Sequence, residues 1–120
     1  MGSSTTTSIQ LDKMGKRLLG SCYVGALPRD STKIRSMKPG QCCIANTHAH
    51  WQPGEHWMAI VNDKSEGFCA YDSFGRRVAS WAKDSELDAE QVILELNCGQ
   101  RCLAWLLVWK NSGIDAAMKI

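Results

Sequence analysis

The stretch "LNCGQRCLAWLLVW", Leu96 to Trp109, decides the fold. Its last eight residues, Cys102 to Trp109, are all apolar or cysteine. A run that long and that uniform cannot serve as a half-exposed element, so a buried central helix is predicted from about Gly99 onward. The polar opening needs a separate reason. Asn97 is a favourable N-cap type, which makes Cys98 the first helical residue. There the unpaired backbone N–H groups and the helix dipole favour an anion and draw a thiol toward thiolate. Gly99 leaves space for another group to approach.

The elements around this helix follow from pattern and punctuation. "LDKMGKRLL" (11–19) has apolar residues at 11, 14 and 18, a helical spacing, and Gly20 follows where a helix C-terminus needs one. "GQCCIANT" (40–47) reads as a buried strand, and "HAHWQPGE" (48–55) as a loop broken by Pro53 and Gly54. "HWMAIVN" (56–62) and "FCAYDSF" (68–74) flank "DKSEG" as an antiparallel hairpin centred near Ser65. "KDSELDAE" (83–90) suggests a short helix capped at Asp84 or Ser85, and "VILELN" (92–97) a strand. The expected class is α+β: a small mixed or antiparallel sheet packed against the central apolar helix. Residues 1–10 read as a flexible Ser/Thr-rich tail, and 11–120 as one domain.

Composition narrows the function. At 120 residues and 44% hydrophobic the chain can bury a core, and its longest apolar run is far short of the roughly 20 residues of a membrane span. "MGSSTTTSIQ" has neither the basic start nor the apolar stretch of a signal peptide, so secretion is not expected. The six cysteines are then read as thiols in a reducing compartment, not as a disulfide framework. Residues 1–40 carry a charge balance of +5 and residues 41–120 one of −3. Lys33, Arg35 and Lys38, with Lys13, Lys16 and Arg17, are candidate phosphate contacts, against the simpler reading of a solvated face.

The hairpin supplies partners for the thiol. Mirroring about Ser65 sets Met58 opposite Asp72 and places His56 diagonally from Asp72 on one face, roughly 7–8 Å apart. A slip of one residue would separate them. An imidazole oriented by a carboxylate is the base that an activated thiol lacks.

Taken in order, "IANTHAHWQPGEHWMAI", "YDSFG" and "CGQRC" resemble the adenovirus-type (adenain-like) cysteine proteases, of the same clan as the SUMO-deconjugating proteases. "LLGSCYVGALPRD" is similar to that family's N-terminal helix and its exit, so the resemblance covers roughly residues 11–110. It implies a viral cysteine endopeptidase without metal or organic cofactor, with His56 as general base, Asp72 as its orienting acid and Cys98 as nucleophile. Gln91, seven residues before the cysteine, would donate to the oxyanion beside the Cys98 backbone N–H. The implied substrates are viral precursor proteins cut after glycine, in the virion and the infected cell, chiefly its nucleus. The family's adenoviral members are stimulated by DNA and by a short viral peptide. Ser80 stands where the peptide-linking cysteine would be, so covalent peptide activation is not expected.

This chain is shorter than the family pattern. An alternative alignment makes "VILELN" the preceding strand and deletes the oxyanion loop, which would leave an inactive relative serving as a capsid or DNA-binding module. A zinc module built from Cys42, Cys43, His48 and His50, joined by Cys98 and Cys102, is a weaker rival, because adjacent strand residues point to opposite faces. A papain-like order of Cys22, His56 and Asp72 is a further alternative, though Cys22 lacks an apolar helix behind it.

Overall fold

The computed structural model describes residues 8–46, 57–71, 83–84 and 98–119. In chain order these form α1 (Ser8–Leu19), a 3-10 turn (Gly20–Cys22), β1 (Tyr23–Pro28), α2 (Thr32–Arg35), β2 (Gln41–Asn46), β3 (Trp57–Asp63), β4 (Gly67–Tyr71), β5 (Lys83–Asp84), α3 (Cys98–Ser112) and α4 (Ile114–Met118). The class is α+β. The five strands lie in the order β1-β2-β3-β4-β5. β1 runs parallel to β2, β2–β3–β4 is an antiparallel meander, and β5 is parallel to β4.

Strand alternation sorts the sheet into two faces. Cys42, Ile44, Trp57, Ala59, Val61, Cys69 and Tyr71 belong to one buried cluster with α1, α3 and α4. Cys43, Ala45, Met58, Ile60 and Ala70 belong to a second cluster with Ile34 and Met37. Because both faces are buried, β2 and β3 read as continuous apolar runs, without the alternation of a half-exposed strand.

α1 starts at Ser8, so its first turn takes in residues 8–10, which sequence assigned to the tail. Its buried stripe is Leu11, Gly15 and Leu19. Leu18, counted with the apolar face by spacing, is instead 44% exposed. The Tyr23 ring explains the rotation. It lies where a side chain at position 15 would be, 2.5 Å from an ideal Cβ there, so the helix presents its glycine to the sheet. Asp12 holds the same edge, accepting from Tyr23 Oη at 3.1 Å and from the Ala26 backbone N–H at 2.7 Å. Gly20, at φ +75°, ends the helix in the conformation that favours glycine.

Three further corrections concern short elements. Lys83–Asp84 is a strand paired with Cys69 and Ala70, where a helix over 83–90 was expected; sheet pairing there overrides the cap-like Asp84. β1 and α2 escaped pattern reading, β1 because glycine and proline interrupt it and α2 because it is a single turn. α4 also went unseen. Its buried Ile114 and Ala117 pack on α3, and Trp105 Nε1 donates to the Ala117 carbonyl at 2.8 Å.

Candidate active site at the start of the central helix

α3 begins at Cys98. Two contacts seat its first turns against the start of β3. The Cys102 thiol donates to the Trp57 carbonyl oxygen at 3.3 Å, and both residues are buried. Gly99 is buried where an added Cβ would stand 2.8 Å from Leu11 Cδ2 and 3.3 Å from Trp57 Cδ1. "CGQRC" therefore has a local physical meaning. The glycine lets α1 and Trp57 close onto the helix, and the second cysteine ties the helix to the strand one turn later.

The far end of β3 is clipped to the same helix. Asp63 Oδ1 accepts from Trp109 Nε1 at 2.9 Å. Asp63 Oδ2 gathers the turn, accepting from Ser65 N at 2.9 Å, Ser65 Oγ at 2.7 Å and Glu66 N at 3.0 Å. Partial burial alone would raise the Asp63 carboxyl, but the hydrogen bonds from Trp109, Ser65 and Glu66 outweigh it and hold the group below the ordinary carboxylate range. With one tie at Trp57 and the other at Asp63, α3 runs along β3 in the same direction. Its N-terminus lies at the end where the chain enters β3.

The hairpin has the expected register. Asp63 faces Gly67, Val61 faces Cys69 and Ala59 faces Tyr71, mirrored about Ser65. Tyr71 also stacks on Trp105 of α3, with centroids 5.5 Å apart and planes 13° from parallel. His56, Asp72 and Gln91 lie outside the described residues, as do Asn97, His48, His50, Ser80 and "VILELN"; Cys98 is placed by its backbone. What the structure brings together is the surroundings: Trp57 and Tyr71, the chain neighbours of His56 and Asp72, both touch the helix that Cys98 opens.

The basic residues of the α2 segment are not brought to this place. Lys33, Arg35 and Lys38 are exposed on and after α2, whose Ile34 belongs to the cluster on the sheet face away from α3. The Ser31 hydroxyl caps α2, accepting from Lys33 N at 3.2 Å, so part of this segment's polarity serves local structure. Lys13, Lys16 and Arg17 are exposed on α1, on the α3 side.

Cys42 and Cys43 fall in opposite clusters, which separates the adjacent thiols of the zinc reading. Burial pushes the Cys43 thiol up to about 12. Burial, then the neighbouring Cys22 and Cys43 thiols, raise Cys42 further against the opposing charge of Lys110. These are core thiols that keep their protons. Among the described residues no cluster of three or more His, Cys, Asp or Glu could hold a metal, and no helix is long and apolar enough to cross a membrane.

The sequence matches no family model, and no curated protein registers as a relative.

Proposed function

We propose that the protein is a cysteine endopeptidase of the adenain type, acting through Cys98, His56 and Asp72. The observation that carries this reading is the seating of the α3 N-terminus at the start of β3 by Gly99, Cys102 and Trp57. It sets the turn of α3 that contains Cys98, on a helix with one buried face, against the part of β3 that follows His56 in sequence. The unpaired N–H groups of the first turn favour a thiolate there.

The reading carries a geometric requirement. Continued alternation would align residue 56 with Met58 and Ile60, on the face away from α3. The imidazole therefore reaches Cys98 only if the strand has ended at Trp57 and the chain turns around its edge. One further pair in the observed register would set Asp72 opposite Met58, on the face away from α3, so the same requirement applies to Asp72 after Tyr71.

In the proposed reaction the Cys98 thiolate attacks a peptide carbonyl and forms a tetrahedral oxyanion. The Cys98 backbone N–H donates to that oxygen, with Gln91 as the proposed second donor. Collapse breaks the C–N bond, His56 protonates the leaving amine, and a thioester remains. Water then hydrolyses the thioester with His56 as base. The proposed substrates are viral precursor proteins cut after glycine in the infected cell, with DNA as a proposed activator through the basic residues. Incubating glycine-containing peptides with wild type and Cys98→Ala tests the reading. Cleavage by wild type alone supports it. Cleavage that survives Cys98→Ala but is lost in Cys22→Ala would move the nucleophile to Cys22, and no cleavage by wild type, with or without DNA, would favour an inactive module.

A further inference from the structure

A second thiol arrangement lies at the opposite end of α3, independent of the proposed protease site. Cys22 ends the 3-10 turn after α1, and Cys42 lies in β2 beside β1, where Tyr23 is its Cα partner. Cys22 thus immediately precedes the partner of Cys42, and both cysteines pack into the cluster on the α3 side of the sheet, Cys42 fully buried and Cys22 half-buried. Cys22 lines a pocket of about 310 Å³, shared with Gly40, Asp63, Lys64, Trp109 and Lys110. Lys110 Nζ donates to the Leu19 carbonyl at 2.7 Å, and the Cys22 thiol donates to the same oxygen at 3.2 Å. An ammonium and an accessible thiol therefore converge on one carbonyl beside an open pocket, with the buried Cys42 on the neighbouring strand.

We propose that Cys22 and Cys42 form an oxidisable pair, a modification site at which a hydroperoxide entering this pocket produces an intramolecular disulfide. In the first step the Cys22 sulfur attacks the distal peroxide oxygen. The O–O bond breaks, the proton passes to the leaving oxygen, and Cys22 sulfenic acid and an alcohol (water, from hydrogen peroxide) result. In the second the Cys42 sulfur attacks the sulfenic sulfur, the S–S bond forms, and hydroxide leaves with the Cys42 proton as water. Each disulfide reduces one hydroperoxide and releases one water in the second step. Cys42 supplies the resolving sulfur from the core, while Cys22 takes the oxidant from the pocket. Cys43, adjacent in sequence, faces the other cluster and has no part in it.

The test uses the full chain, hydrogen peroxide near equimolar amounts, alkylation of remaining thiols, and non-reducing peptide mapping. Expected is a cross-link from the peptide carrying Cys22 to the peptide carrying both Cys42 and Cys43, with fragmentation assigning it to Cys42 in the wild type itself. The free thiol count falls from six to four, and mass falls by two hydrogens. The link persists in Cys43→Ala and is absent in Cys22→Ser, a half-buried site where the fold is retained by circular dichroism. Oxidation of Cys22 to sulfinic acid without a link, or a link from Cys22 to any cysteine other than Cys42, overturns the proposal. Because the readout is the bond, the result stands apart from any peptidase activity.

Discussion

The Cys102 thiol and the Trp57 carbonyl oxygen, 3.3 Å apart in the buried core, tie the first turns of α3 to the first residue of β3. Removing that thiol separates two consequences. Cys102→Ala loses a hydrogen bond and a small buried volume, at a cost of about 1–2 kcal/mol. Cys102→Ser keeps a donor for the same carbonyl and is expected to be closer to wild type in denaturant titrations. If the tie also positions the proposed site, turnover on a cleaved peptide falls in the alanine variant and recovers in the serine variant, with KM little changed.

Gly99→Ala is expected to be worse than its size suggests. Its methyl group would press on Leu11 and Trp57, so Leu11 or the whole helix must move. Overpacking of this kind costs about 1–3 kcal/mol. The double variant Gly99→Ala/Leu11→Ala should lose less stability than the two singles combined, because the truncated leucine makes room. Strict additivity in urea unfolding would show that Gly99 is not held by this contact.

Much of this architecture was legible in the chain, for local reasons. The central helix followed from "CLAWLLVW", the hairpin from two apolar runs around "DKSEG", and its register from symmetry about Ser65. Cys42 and Cys43 followed from strand alternation. What escaped depends on tertiary partners. The buried face of α1 is set by the Tyr23 ring against Gly15, and Lys83–Asp84 becomes a strand only because β4 offers an edge. α4 is five residues held by Trp105 and its own small buried face, too short for periodicity to register. Of the site, a helix that includes Cys98 was legible from the apolar run, while the cap expected at Asn97 lies outside the described residues. The packing roles of Gly99 and Cys102 needed Leu11 and Trp57, which lie far away in sequence.

Asp63 gives the fold a pH dependence with a definite sign. Its carboxyl is held below the ordinary range in the folded chain, so the unfolded chain binds the proton more readily. The resulting stability is fully present above the unfolded value, about 3.9, and is lost as pH falls through the lower folded value. Asp63→Asn should therefore destabilise at pH 7, by no more than about 1 kcal/mol because solvent screens this largely exposed carboxylate. Its deficit should shrink toward zero in acid. Chemical denaturation of both proteins at neutral and acidic pH checks this, and a deficit independent of pH would assign the effect to the turn's shape.

Trp105→Phe should loosen α4 while sparing the sheet. Phenylalanine retains an aromatic face for Tyr71 but cannot donate to the Ala117 carbonyl. An expected loss of about 1–3 kcal/mol combines an unsatisfied carbonyl with reduced burial. Hydrogen exchange should rise first at residues 114–118 and least in β2 and β3. Uniform acceleration would mean that α4 is integral to the core.

The proposed peptidase chemistry requires Cys98, in the first turn of α3, to be a reactive thiol, in contrast to the thiols buried for packing. The most direct measurement is the rate of iodoacetamide labelling at each cysteine across pH, resolved by peptide mapping of the native protein. Cys98 is expected to react well ahead of Cys102 near neutral pH, and more slowly in His56→Ala. Labelling of Cys98 no faster than Cys102, and indifferent to His56, would contradict the account.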